Sequence, residues 1–485
     1  MRKARAMKPT TMMADLTLSD ELQDVDLGDK RRNERFVKIA GRLAAQPDKS
    51  VPDAMENHAE VEAYYRLMSN DAAEHQTLLE PHFEKTSRRS EASQIVLVAH
   101  DTTEFAYAIH DEPSRENLAR LRANQQGFLW HASLAVSADG TRAPLGLVAS
   151  RPYVHASQIK DQETLDFWRA QNGLLDNEQT RWLDAVEASE ARLEDVDEVI
   201  HVMDREGDDF NTLFPMVFSG YGFVVRMTGD RSVSTGPKRS EKAPLEAVLE
   251  EVEWSKSIRT VELSARPKRK ASKSHRARRF RSARLKIRAT RVELRRPDNL
   301  PAANSPARFG VNVVEVSEIR APKGEDPVRW LLVTDRPIDT DEDCWQIVDW
   351  YRARWQIEEY FKALKTGAAY SKLQHRSAQT LLAALSVKAM VAWNLLVIRY
   401  LGRNHEDVEA SGWITSAQLA ILRMKRPKIM KRKATAGRIM AAVASLGGHI
   451  KNNGPAGWQV LGRGWAQLLE LEQGFLIARQ MMDEM

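Results

Sequence analysis

Three carboxylates in this 485-residue sequence stand where they could do chemistry together. Asp101 closes the apolar run "IVLVAHD" and Asp204 closes "VIHVMD", so each is expected at the carboxyl end of a buried strand, half sheltered and half exposed. An aspartate there suits a hard-cation ligand, and it equally suits a helix N-cap or a turn. The third, Glu358, lies in "DWYRARWQIEEYFKALKTG", Asp349 to Gly367. At about 100° per residue, Tyr351, Arg354, Glu358 and Lys365 fall on one strip of a helix, beside an apolar strip of Trp350, Ile357, Phe361 and Leu364. Glu359 lies about 100° round from Glu358 and reads as a structural or solvated acid. Phosphodiester chemistry by two Mg²⁺ ions about 3.5–4 Å apart needs a small carboxylate set, one bridging both ions and others holding each singly. An all-oxygen set favours Mg²⁺ or Mn²⁺ over zinc.

The elements that must position these acids can be read from periodicity. Residues 1–80 read as helical. There Arg31, Arg35, Lys38 and Arg42 recur at spacings of 4, 3 and 4, so they share a face, with Phe36, Ile39 and Leu43 on another. Such a helix can lie on DNA, and many ordinary surface helices look the same. From about Ser93 three strands follow one another, with Asp-Gly in "SADGTRAP" marking a hairpin. A helical stretch from about Gln158 to Arg192, the strand ending at Asp204, another helix and the strand "GYGFVVRMT" complete the order: three strands, helix, strand, helix, strand.

The stretch from about Arg231 to Ile338 is β-rich and basic. Ser255 to Arg296 holds 17 lysines and arginines against two acids, a net +15 that leaves the rest of the chain at −10. So dense a block repels itself unless a polyanion neutralises it, which points to nucleic acid over a merely solvated surface. Its centre, with Lys268, Arg269, Lys270, Arg278 and Arg279, is expected in a loop between strands. After Asp339 the chain reads as helical. Its apolar run "LLAALSVKAMVAWNLLVI" carries Lys388 and Asn394, and a bilayer would penalise that lysine by roughly 2.5 to 3.5 kcal/mol, so the run is expected to be a buried helix. The N-terminal "MRKARAMKPTTMM" lacks the apolar stretch of a secretory signal. A single cysteine, Cys344, excludes an intrachain disulfide and fits a reducing, cytoplasmic compartment.

The run Tyr351-x2-Arg354-x3-Glu358-x6-Lys365 resembles the YREK signature of the insertion-sequence-four family of bacterial DDE transposases. Further stretches agree in the same order: "LGDKRR", "DTT" at Asp101, "DRE" at Asp204, "FVVR" ending in Arg226, "RWLLVT" at Trp330, "LGG" at Leu446 and the late "GWAQL". The resemblance implies an α/β fold with an RNase H-like catalytic core, a mixed sheet flanked by helices. That core would span residues 81–375 with a β-rich insertion at about 231–338, between a helical DNA-binding domain at 1–80 and a helical dimerisation domain at 376–485. It implies a catalytic triad of Asp101, Asp204 and Glu358 holding two Mg²⁺, with Mn²⁺ as a substitute. Tyr351, Arg354, Lys365 and Arg226 would grip phosphates, and Trp330 and Trp355 would receive a flipped base. The implied partners are double-stranded DNA, both transposon ends and target, and a second copy of the chain; the implied location is the bacterial cytosol and nucleoid, with no membrane.

Departures from the family pattern are His100 before Asp101 and the loose likeness of residues 1–26 and about 403–435. The reading that follows is cut-and-paste transposition, with Mg²⁺-dependent hydrolysis, 3′-hydroxyl attack through a hairpin and strand transfer. A catalytically silent DNA-binding inhibitor or domesticated relative, and an RNase H-fold nuclease or resolvase without strand transfer, are the alternatives.

Overall fold

Short polar side chains start the N-terminal helices. Asp29 accepts from the Arg32 amide to cap α1 (Lys30–Ala45), Ser50 caps α2 (Val51–Ala54) and Asn57 caps α3 (His58–Met68). Helix α4 (His75–Glu91) then runs across residue 80, so the N-terminal helices pass into the next unit without a linker. The computed structural model describes residues 21–483, apart from 47–48, 110–114, 230, 237, 239–240, 264–278, 302–304, 411–413 and 451–455.

The apolar run leading to Asp101 becomes the middle of a large mixed sheet. β1 (Ile95–Ala108) is followed by a short β2 (Ala119–Arg122), β3 (Gln125–Ser137) and β4 (Pro144–His155). β3 pairs antiparallel with β1, and β4 pairs antiparallel with β3. The helical stretch expected from Gln158 to Arg192 is two helices, α5 (Gln162–Ala170) and α6 (Thr180–Arg192), split by β5 (Leu174–Leu175). The break has a local cause: Asn172 takes a left-handed φ of 51°, and a side chain at Gly173 would strike the Trp168 ring. The chain then extends and pairs Leu174 with Val154.

β6 (Glu198–Met203) pairs parallel with β1 on the side away from β3. It is followed by α7 (Phe210–Ser219) and by β7 (Gly222–Arg226), parallel to β6. The insertion comprises β8 (Ser232–Ser234), β9 (Lys242–Pro244), α8 (Leu245–Glu250), β10 (Ile258–Leu263), β11 (Arg281–Arg295), β12 (Arg308–Glu318) and β13 (Arg329–Thr334). It does not form a separate sheet. β13 pairs with β7, so the main path runs β5-β4-β3-β1-β6-β7-β13-β12-β11-β8-β9.

Alternate residues of β1 divide between the two sheet faces. Leu97 and Ala99 join the main core with α9 (Asp341–Ala353), α10 (Trp355–Lys362) and α11 (Ala378–Asn404), while Val96 and Val98 join a smaller core with Leu193. Every residue in the most apolar window of α11 is buried inside the protein, as its interior Lys388 and Asn394 predict. It packs on α4, where Ser386 Oγ lies 2.8 Å from His75 Nδ1.

α12 (Ser416–Lys425), α13 (Ala436–Leu446) and α14 (Trp458–Asp483) complete the chain. Gly464 lets α14 cross α13 closely, since a Cβ there would lie 1.8 Å from the Val443 carbonyl oxygen. Much of the apolar surface of α13 and α14 is therefore consumed within the chain. The open apolar surface of α14 lies in its last turns, at Phe475, Leu476, Ile477, Met481 and Met482.

Candidate active site

Asp101 and Asp204 come level across the parallel pair. The register sets Ala99 opposite Val202, and each aspartate lies two residues further on, on strands about 4.8 Å apart. Asp101 is not the end of its strand, as the apolar run implied: β1 continues to Ala108. What stops is its neighbour β6, at Met203, and that uncovers one flank of Asp101. Asp204 leaves β6 and caps a short 3₁₀ turn, its Oδ1 accepting from the Glu206 amide at 2.9 Å.

The helix expected to present Glu358 is continuous in direction but not in winding. α9, started by a Thr340/Asp343 capping box, gives way at Arg354 to α10, and Ala363–Gly367 forms a π turn closed by the Ala368 amide on the Ala363 carbonyl. Arg354 keeps helical angles (φ −50°, ψ −30°), so Tyr351, Arg354 and Glu358 stay on one side. The wider π turn shifts Lys365 from where a uniform 100° step would put it. Its ammonium lies 5.5 Å from the Phe105 ring centre; burial lowers its pKa, against the pull of Glu104 and Asp101.

Arg354 joins the two halves of the site. Its Nη1 donates to Asp101 Oδ2 at 3.0 Å and its Nη2 to Glu358 Oε1 at 2.7 Å. Burial pushes the Asp101 carboxyl up to about 6, against the pull of Arg354, with Asp204 and Glu358 adding to the rise. Burial also works to deprotonate Arg354, but Asp101, Tyr351, Glu358 and Asp204 overcome it and raise its pKa. Two carboxylates thus share one guanidinium, and the charge of Asp204 acts on it as well. Among the described residues no three His, Cys, Asp or Glu side chains close into a metal cage, and Arg354 stands between Asp101 and Glu358. The donor chemistry nonetheless fits a hard divalent cation: three carboxylates at one end of the sheet and no nitrogen or sulfur donor in the set.

Behind the aspartates lies a buried chain that sequence reading missed. Glu190 of α6 accepts from His201 Nε2 at 2.8 Å, His201 Nδ1 lies 2.8 Å from His100 Nε2, and His100 Nδ1 lies 2.8 Å from Ser133 Oγ. Each neutral imidazole has one donor and one acceptor, so the Glu190 carboxylate orders every proton along it. The chain ties β3, β1, β6 and α6 together one residue before Asp101 and three before Asp204. His100 had registered only as a departure from the family pattern, and nothing local in the sequence pairs it with His201.

Glu359 is a structural acid. It pairs with Arg399 of α11, accepts from Lys362 Nζ at 2.7 Å and takes the Trp458 indole N–H at 3.2 Å. Burial raises its pKa, but Lys362 and Arg399 outweigh that and bring it below the usual range. Glu359→Gln should cost about 1–3 kcal/mol of stability, measured by denaturant unfolding, by weakening this tie between α10, α11 and α14. Any Mg²⁺-dependent DNA cleavage per folded molecule should survive it.

The remaining expected site residues scatter around this centre. Trp330 packs on Tyr351 with ring centres 5.7 Å apart, half-buried, whereas Trp355 is 51% exposed, with Lys362 Nζ 4.6 Å from its ring centre. Arg226 lines an open cleft of about 320 Å³ with Arg205, Thr228, Arg329 and Leu331. Lys268, Arg269, Lys270 and Arg278 lie outside the described residues, and Arg279 is exposed just before β11.

The basic face of α1 divides. Lys38 Nζ is 2.7 Å from Glu60, and Arg42 pairs with Glu56, so these two tie α1 to the start of α3. Arg31 and Arg35 are exposed and form no ion pair among the described residues. Replacing both with alanine should weaken DNA binding and lower its log–log salt slope by about 2, read from titrations across ionic strength. Lys38→Ala should leave that slope nearly unchanged.

Residues 15–73, which include α1 to α3, match the family model described as transposase DNA-binding. The N-terminal helices are thus similar to a transposase DNA-binding domain, which supports DNA as a partner.

Proposed function

We propose that this protein is a DDE transposase of the insertion-sequence-four type, with Asp101, Asp204 and Glu358 as its catalytic carboxylates. The observation that carries the proposal is the meeting of these three acids around Arg354, from two adjacent strands and a helix more than 150 residues further along the chain. The sheet adds support: it is mixed, with β3 antiparallel and β6 parallel to β1, and helices pack on it, as expected of an RNase H-like core. The transposase-type DNA-binding match at the N-terminus supplies the substrate class.

In this reading the three carboxylates hold two Mg²⁺ ions, or Mn²⁺ in their place. When bound, these supply nucleophile activation at water or a 3′-hydroxyl and charge stabilisation at phosphorus. The chain's own groups do the rest. Arg354 offers a planar fork that can exchange its carboxylate partners for phosphate oxygens without losing its charge. Lys365 contributes a compact cation in a half-buried setting, where its field is weakly screened. Tyr351 backs Trp330, which presents an aromatic face for an unstacked base, and Trp355 presents another. The exposed final turns of α14 provide the apolar surface for a two-fold dimer that joins two transposon ends.

The test is incubation of the full chain with its element's end DNA and Mg²⁺, resolving nicked, hairpin and strand-transfer products on one gel. Nick, hairpin and joined products together are expected. Binding without any product would establish the silent DNA-binding reading, and cleavage without joining would establish the nuclease.

A further inference from the structure

Outside the insertion, a second charge asymmetry runs through the C-terminal helices. From Ala410 to Leu469 the chain carries ten lysines and arginines and no aspartate or glutamate. With that segment at +10 and Ser255–Arg296 at +15, the remainder stands at −20. The cations gather where α12 runs into α13: "RMKRPKIMKRK", Arg423 to Lys433, has seven in eleven residues. Arg423, Lys425, Lys428, Lys431, Arg432 and Lys433 are all exposed, and none forms an ion pair among the described residues.

A run of like charge is ordinarily a solvated face. Three features take this one further. The helix dipole accounts for Arg423 and Lys425 in the last turn of α12, but four of the six cations lie beyond the helix, where no dipole steadies them. The turn that displays them is pinned. Arg426 points inward, donating to Ser445 Oγ at 2.9 Å and to the Ser445 carbonyl at 3.0 Å. Met430 is buried, and the Ala434 carbonyl accepts from the Ala410 amide at 2.8 Å. Finally, the stretch from Arg423 to Lys433 contains no aromatic residue on which a base could stack.

A fixed array of unneutralised cations without stacking groups fits the phosphates of a duplex rather than the bases of a single strand. We propose that the turn between α12 and α13 is a second DNA-binding surface, sequence-neutral, distinct from residues 15–73 and from the carboxylate site. Target DNA is the duplex it suits, because a target is bound without a fixed sequence. That last assignment rests on the transposase reading, whereas duplex binding by the turn does not.

The test compares the full-length protein with the variant Lys428→Gln/Lys431→Gln/Arg432→Gln/Lys433→Gln, titrated with a short duplex of unrelated sequence over a range of salt. The variant should bind roughly tenfold or more weakly near 0.1 M salt, and its log–log salt slope should fall by about 3 to 4, or about 0.9 for each phosphate no longer neutralised. Cleavage at saturating end DNA should be unchanged. The double variant Lys428→Gln/Lys431→Gln should show about half the change in slope, and equal thermal midpoints for all three proteins would show that folding is not the cause. Wild-type affinity and slope in the quadruple variant would overturn the surface. A wild-type protein that binds but never cleaves would instead overturn the transposase reading and leave this result standing.

Discussion

Asp204→Asn and Glu358→Ala should each lower Mg²⁺-dependent nicking of end DNA by about a thousandfold or more, while DNA binding stays within about twofold of wild type. The magnitude follows from what a metal-bound carboxylate site supplies. In the proposed two-metal site, loss of one ligand would remove several kcal/mol of nucleophile activation and transition-state charge stabilisation, at about 1.4 kcal/mol per factor of ten. Binding should persist because the transposase-type DNA-binding match ends at residue 73, far along the chain from either acid. The two changes differ in one respect. Glu358 accepts from Arg354, so its loss also frees half of the guanidinium fork, whereas Asp204 bonds its own turn. Near-wild-type nicking by either variant would remove the triad assignment.

Asp101→Asn should abolish the same reaction and yet stabilise the metal-free fold at neutral pH. Burial and two neighbouring carboxylates lift the folded-state pKa of Asp101 to about 6, from the 3.8 of an unconstrained aspartate. A raised folded pKa means that the native state holds the proton more tightly than the unfolded chain. The resulting stabilisation is complete below about pH 4 and is lost as pH rises through about 6, so at pH 7–8 the protein carries an ionised carboxylate that its surroundings oppose. An uncharged asparagine removes that opposition, which by linkage is worth at most about 3 kcal/mol. Weakening of the hydrogen bond from Arg354 reduces the gain.

The measurement is thermal unfolding in chelator-treated buffer at pH 4 and pH 8. The variant should melt above wild type at pH 8, with the gap closing at pH 4. Added Mg²⁺ should stabilise wild type and leave the variant unmoved, because a cation that binds only the folded state raises its stability by mass action. A variant less stable than wild type at pH 8 would mean that Arg354 outweighs the mutual repulsion of the three acids.

The separation of the adjacent glutamates was legible in the sequence. Helical spacing alone set Glu358 beside Tyr351 and Arg354 and turned Glu359 away, because Arg354 keeps helical angles through the break. The placing of Asp204 was legible for a similar reason, since an apolar run followed by an acid marks where β6 ends, whereas the same signal set Asp101 at the end of a strand that in fact continues to Ala108. Alternating and β-branched runs likewise marked most strands of the sheet, and the interior Lys388 and Asn394 marked α11 as a core helix.

What the sequence could not determine were partners distant along the chain. Asp101 and Arg354 are 253 residues apart, and His100 and His201 are 101 apart, so no local period records either pair. The continuation of β1 past Asp101 depends on β3 staying paired after β6 has stopped, and the π turn at Ala363–Gly367 sits against α14, where a Cβ at Gly462 would meet the Gly367 carbonyl. The fate of each basic residue on α1 was equally nonlocal: Lys38 and Arg42 met acids at the start of α3, and Arg31 and Arg35 did not. Periodicity fixes which side of an element a residue takes. Only the packing of separate elements decides what waits on that side, and for this protein that is the difference between a row of charged residues and three carboxylates gathered around one arginine.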